Sequence, residues 1–361
     1  MNMILSNSYV PFLKWRQSEF QALFKLEDEI KDFIIPYIIL PPIEYDFAER
    51  RLKKTIEEHI EPMAKRIYDK WGSRLALLDF HDSLEGKVMD NGESVVEYVH
   101  NEALALGCEL VPVVSFEKSN WYLVEVKKIT SAQKCGIALR VFLEDLDRQT
   151  INNEIDYLLE MFDLGISNID LIIDLGTPDN FEPYALFSHI IFTKINSINN
   201  IKDYRSFVIV ANSLDLMQIK QPGGVFTRHE WMLYPYLASK FKETPPTFGD
   251  YTTDNIEFLP QIDMRKINPS AKLIYTLPQH WHVLKAKAFR GNTAQMINLC
   301  SNIISLPDYK GIAFCDGDKR IYDTAKGIEN CGNLGTWKQV AINHHMTKVV
   351  HQLSSYHASI I

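Results

Sequence analysis

Charged and hydroxyl side chains recur at one kind of place in this sequence, the end of a short apolar run. YVPFLK ends in Lys14, LALLD in Asp79, LVPVVS in Ser115, GIALR in Arg140 and NIDLIID in Asp174; SFVIVANS ends in Ser213, and TFGDY in Asp250 and Tyr251. A charge at the end of a buried strand is costly unless it is paired, metal-bound or solvated. If these ends meet, Asp79, Asp174 and Asp250 supply acid–base or metal-supported chemistry, while Lys14 and Arg140 stabilise developing negative charge. The plainer alternative is a ring of structural ion pairs closing the top of the fold. Tyr251 and Ser213 join the set as substrate-binding candidates.

A second group follows SFVIVANS, in QPGGVFTRHEW. Gly223 and Gly224 let backbone N–H groups approach an anion, and Arg228 adds a two-pronged donor; a Gly-Gly pair is equally an ordinary turn. Lys285 and Lys287 share one face of VLKAKAFR, opposite Tyr275 on the partner strand of a hairpin. Over the site they form a basic lid; elsewhere they are a solvated strand face. Asp79, His81 and Asp82 offer ligands for a divalent ion together with Asp174 or Asp250, but at no recognised metal spacing, so no metal ligands are assigned. Lys14 is placed where barrel enzymes attach pyridoxal phosphate, with Arg228 to meet the phosphate; the following WRQSEF lacks the small-residue stretch such enzymes carry, which disfavours that cofactor. Asp316-Gly317-Asp318 reads as a turn, and His344 and His345 as packing residues of a helix.

Eight strand–helix units must position these groups, which predicts a (β/α)8 TIM-type barrel with its site at the carboxyl ends of the strands. Helical spacing joins Phe47, Leu52, Ile56, Ile60, Met63, Ile67 and Trp71; it joins Val95, Val99, Ala103 and Leu106 before Gly107, and Ile155, Leu158 and Phe162 before Gly165. Thr177-Pro178 reads as a helix start. The eighth strand, TFGDYTT, is short and polar. Residues 255–361 read as the last barrel helix plus an elaboration over or beside the mouth. Within it, AKLIYTL and HWHVLKAKAF form a hairpin, GIAFCDGDKRIYD a strand and turn, and WKQVAINHHMTKVVHQL a terminal helix. Residues 1–361 are expected to form one domain. Parity within each strand shows which residues share a face, but not which face meets the barrel axis.

A chain of 361 residues, 46% of them hydrophobic, can bury a large core. Its net charge of −8 argues against bulk nucleic-acid binding, and its five scattered cysteines read as reduced thiols. With no secretory leader and no membrane-length apolar run, a cytoplasmic location is expected.

The Pro-x-Leu-Lys-Trp opening (Pro11, Lys14, Trp15), the Glu19-to-Leu23 segment, IIPYIILPPIEYDF and the closing TWKQVAINHHMTKVV together resemble the phage Beta-protein family over nearly the whole length. The resemblance implies a phage or bacterial intracellular setting, one of phage–host conflict, and supplies no catalytic residue. The residues thus favour an enzyme acting on a phosphate-bearing substrate, nucleotide or nucleic-acid-like. The alternatives are a non-catalytic phage–host conflict protein that binds a protein partner or small signal, and a pyridoxal-phosphate enzyme using Lys14.

Overall fold

Buried β-branched runs alternate with amphipathic helices along the chain. In the computed structural model, which describes residues 4–258 and 261–359, they close into a barrel. Its strands are β1 (Tyr9–Leu13), β2 (Tyr37–Leu40), β3 (Ala76–Phe80), β4 (Leu110–Val114), β5 (Ile137–Phe142), β6 (Ile169–Asp174), β7 (Ser206–Ala211) and, after β8 (Gly223–Thr227) outside the barrel, β9 (Thr247–Asp250). All neighbours are parallel, in the order β1-β9-β7-β6-β5-β4-β3-β2, which returns to β1. A helix follows each: α1 (Gln17–Phe24), α2 (Ile56–Trp71), α3 (Val95–Ala105), α4 (Asn120–Gln133), α5 (Ile151–Phe162), α6 (Tyr184–Ile195) and α7 (His229–Lys240). The protein is a (β/α)8 barrel.

Closure resolves the parity question. Val10, Phe12, Tyr37, Leu77, Val113, Ala138, Ile172 and Val208 pack together around the axis. Tyr9, Leu13, Ile38, Leu78, Leu139, Ile173, Ile209 and Phe248 pack with the surrounding helices. Side chains alternate along a strand, so Lys14, Asp79, Arg140 and Asp174 continue the inward set, whereas Asp250 shares the outward parity of Phe248. At the lower end Asp170 takes a two-pronged contact from Arg205 (2.9 and 2.6 Å) and a hydrogen bond from Ser206 (2.7 Å), sealing the bottom.

Gly249 faces inward where the wall is tight. A Cβ there would lie 2.8 Å from Val210 Cγ2 and 2.9 Å from the Val10 carbonyl oxygen. Gly249→Ala is therefore expected to lower stability by about 1–3 kcal/mol in a urea melt; an unchanged midpoint would show that β1 and β7 yield freely.

The eighth barrel helix is the terminal one, α10 (Leu334–Ala358), whose Ile342, Met346, Val349 and Leu353 enter the outer core. Residues 255–333 are thus inserted between β9 and its helix. The insertion contributes β10 (Ser270–Thr276) and β11 (His280–Ala288), an antiparallel pair to which β8 adds a third strand. Helices α8 (Gln295–Ile304) and α9 (Asp316–Ala325) complete it around a second core of Leu273, Tyr275, Met296, Ile303, Ile321 and Trp337.

Several local expectations are corrected. Helix α2 begins at Ile56 under a Thr55 cap, and Phe47 and Leu52 lie outside it, in or beside a small ribbon that pairs Tyr45–Asp46 with Arg51–Leu52. The left-handed residue closing α5 is Asp163 (φ 54°) rather than Gly165, while Gly107 (φ 82°) follows α3 as expected. Helix α6 starts at Tyr184, well past Thr177-Pro178. Asp316-Gly317-Asp318 is the first turn of α9, where Cys315 caps the helix, so GIAFCDGDKRIYD is no strand. Among the described residues, no helix is long and apolar enough to cross a membrane.

Candidate functional site

Three of the inward strand-end groups meet in one buried network. Arg140 donates to Asp174 Oδ2 from Nε (2.9 Å) and Nη2 (2.6 Å), while the Tyr251 hydroxyl (2.7 Å) and the Gly176 N–H (2.9 Å) donate to Oδ1. Asp79 accepts from the Tyr37 hydroxyl (2.7 Å) and the Phe80 N–H (2.7 Å), and pairs with Lys118 at 3.0 Å. The Arg140 guanidinium lies over the rings of Phe142 (4.5 Å), Phe12 (5.4 Å) and Tyr37 (5.6 Å), joining the two halves. Burial, then the adjacent carboxylates, push the Tyr37 and Tyr251 phenols well above their usual range, so both remain neutral donors. Burial works against the Lys118 charge, but Asp79 and Glu85 outweigh it and raise its pKa. Every charge here has an opposite partner, and the cluster plugs the top of the barrel.

Lys14 and Asp250 belong elsewhere. The Lys14 ammonium donates to the carbonyl oxygens of Asn255 (2.6 Å) and Glu257 (3.2 Å) and pairs with Asp254 at 3.7 Å. So held, it anchors the segment after β9, and burial lowers its pKa. Asp250 faces outward to α10, accepting from His345 Nε2 (2.9 Å), the Tyr9 hydroxyl and the Thr252 N–H. The expected convergence of five strand ends therefore holds geometrically for Asp79, Arg140 and Asp174 only. Nor do Asp79, His81 and Asp82 assemble a ligand set: His81 Nδ1 turns to Ser83 (2.9 Å), and the Asp82 side chain is 91% exposed.

The loop after β7 is also reassigned. Gly223 (φ 98°) is needed because β8 runs against β11: a Cβ would fall 1.9 Å from the Val283 carbonyl oxygen. Gly224 is paired in the same strand. Arg228 is wholly buried between Trp231 and Trp281 and donates to Gln352 (2.6 Å) and Leu277 (3.3 Å), out of reach of any phosphate. Lys285 donates to the Ile219 carbonyl (2.6 Å), and neither it nor Lys287 lines the mouth cavity, so the basic lid does not form.

That cavity, about 1040 Å³, opens at the carboxyl face among the segments following β1, β2, β6, β7 and β9. Lys14 and Ser213 are the sequence-predicted residues on its wall. Beside them stand Arg16, Lys53 and His229, the rings of Tyr45, Phe47 and Phe258, and Lys338 from α10. Arg16 is exposed, lies 5.5 Å from the Phe258 ring and has no ion-pair partner among the described residues. Trp15 (φ 40°) and Thr252 (φ 59°), just past β1 and β9, hold left-handed backbone, the kind of local strain that gathers at sites. A family profile described as Beta protein matches residues 9–351. The chain belongs to the Beta protein family. Among curated proteins none matches. Among solved structures, a mutant tryptophan synthase α-subunit from the hyperthermophile Pyrococcus furiosus is similar at 13% identity over 69% of this chain and 89% of that one, with a TM-score of 0.39. A 3-dehydroquinate dehydratase from Enterococcus faecalis is similar at 14% identity over 69% and 91%, with a TM-score of 0.35. Neither likeness bears on the chemistry of this family member.

One group on the wall has the chemistry of a proton relay. Ser213 Oγ donates to Glu230 Oε2 and accepts from the His229 N–H (3.2 Å) at the start of α7. Burial pushes the Glu230 carboxyl up to about 7, with Arg228 opposing and Asp250 reinforcing the shift. His229 Nδ1 meets the Tyr184 hydroxyl at 2.7 Å, and its ring stacks on Phe181. Glu230 is not a strand-end residue but lies in the first turn of α7. Its partner Arg228 is covered by Trp281 of the inserted sheet and bonded to Gln352 of α10.

Proposed function

We propose that this chain is an enzyme acting on a small phosphate-bearing substrate of nucleotide type, bound in the mouth cavity. The observation that carries the reading is geometric: a cavity-wall hydroxyl, Ser213, donates to a buried carboxyl, Glu230, which burial pushes up to about 7 against the pull of Arg228 at 3.4 Å. A base poised near working pH is what proton transfer in catalysis requires. Arg16 supplies a cationic donor for the phosphate and Lys53, which Glu44 holds at 2.7 Å, a second on the same wall, while Tyr45, Phe47 and Phe258 supply ring faces for a planar base. The Asp79–Arg140–Asp174 network holds the barrel top rigid beneath these segments.

The test is a panel of nucleotides and phosphomonoesters, with and without divalent ions, read by thermal shift and by turnover. At least one compound is expected to raise Tm, and Arg16→Ala to weaken its binding by about tenfold or more, the value of a charge-assisted contact. A panel in which nothing binds or reacts sinks the reading and leaves recognition of a protein partner in its place.

A further inference from the structure

The insertion holds a cluster that the mouth does not use. Cys315, Asp318 and His344 are buried, and one sulfur, one oxygen and one nitrogen from them lie within 4.8 Å of one another. They come from two helices. Cys315 caps α9, Asp318 lies in its first turn, and His344 projects from α10. Gly317 permits the close crossing: a Cβ there would be 2.7 Å from the Val340 carbonyl oxygen. Its N–H donates to Asn343 Oδ1 (2.9 Å), which locks the two helices in register.

We propose that Cys315 Sγ, Asp318 Oδ2 and His344 Nδ1 bind a zinc ion that staples the insertion to the last barrel helix. Thiolate, imidazole and carboxylate are together a zinc donor set. The surrounding contacts have the arrangement found behind metal ligands. His344 Nε2 faces the Thr276 carbonyl oxygen at 3.0 Å, so that nitrogen carries the proton and Nδ1 is directed to the cluster. The Tyr275 hydroxyl donates to Asp318 Oδ1 (2.7 Å), leaving Oδ2 for the ion, and its ring stacks on His344 at 3.9 Å. Cys315 Sγ and His344 Nδ1 both approach Asp318 Oδ2, at 3.0 and 2.6 Å, contacts bridged by protons. The dication replaces those two protons, one from the thiol and one from between ring and carboxylate. Tetrahedral zinc–ligand bonds set such atoms roughly 3.3–3.6 Å apart, so each of these two contacts opens by under about 1 Å. Thiolate, carboxylate and dication sum to zero charge, which suits burial. Water completes the fourth position. The proposal is independent of the function assigned to the mouth.

Full-length protein incubated with zinc chloride and desalted is expected to retain about one zinc per chain by elemental mass spectrometry and to melt at higher temperature than chelator-treated protein. Cobalt(II) in place of zinc is expected to give tetrahedral d–d bands and a thiolate-to-cobalt charge-transfer band. Cys315→Ser should abolish that band and the retained metal, while Tyr275→Phe, which leaves all three ligands, weakens affinity about tenfold. Absence of retained zinc and of cobalt bands in the unaltered chain overturns the proposal, as does full zinc retention by Cys315→Ser. If Cys315→Ser does not fold, the cobalt spectrum of the unaltered chain decides alone.

Discussion

Asp174→Ala is expected to destabilise the protein by about 3–5 kcal/mol, because it strands the Arg140 guanidinium in the barrel interior without its carboxylate. For a chain of this length that corresponds to a fall in Tm of about 4–7 °C. The Asp174 side chain is 0% exposed and that of Arg140 12%, so water cannot screen the loss. The Tyr251 hydroxyl and Gly176 N–H lose their acceptor in the same step. The control is the double replacement Arg140→Met with Asp174→Leu. Removing both charges leaves no unpaired charge, so part of the lost stability should return, although the Tyr251 hydroxyl and Gly176 N–H still lack their acceptor. A single variant that melts within about 1 °C of the parent would contradict a structural plug. Coupled with lost turnover, that result would restore Asp174 to the chemistry.

Glu230→Gln is expected to flatten the dependence of stability on pH. The Glu230 carboxyl rises from an ordinary 4.5 to about 7 in the folded protein. Between those values the folded state holds a proton that the unfolded chain has released. Stability therefore falls as pH rises through that window and levels off above it, by about 3 kcal/mol for this one group. Glutamine, which has no proton to lose, should remove that slope while still accepting from Ser213. The same substitution tests the proposed chemistry. With a substrate in hand, kcat/KM of the parent should climb with pH through about 7 as the carboxylate forms; the variant should lose that limb and roughly 10²–10⁴ in rate. Urea midpoints of parent and variant that change in parallel from pH 5 to 8 would mean that Glu230 titrates in its ordinary range.

The barrel was legible because its signal is local and repeated. Each strand is a short apolar run and each helix an amphipathic one, and eight such alternations admit few architectures. The β10–β11 hairpin and the terminal helix were equally plain. Elements that depend on packing were less so. Phe47 and Leu52 continue the apolar spacing of α2, yet Thr55 caps the helix after them. CDGD has turn composition, but Cys315 accepts the Asp318 N–H and starts a helix that α10 then covers. TRHEW displays no sign that Arg228 and Glu230 will be sealed from water.

Sequence was enough for the eight-unit barrel and for the face that Lys14, Asp79 and Asp174 each share with the apolar residues of their own strand. Only the packed fold sets Asp250 outward against His345, ties Lys14 to a loop, and places Arg16 and Ser213 on the mouth wall with Glu230 buried behind Ser213. The physical reason is that alternation along a strand is a local property of the backbone. Which face becomes the interior, and which charge finds a partner there, is set by closure of the barrel and by an insertion docking from far along the chain.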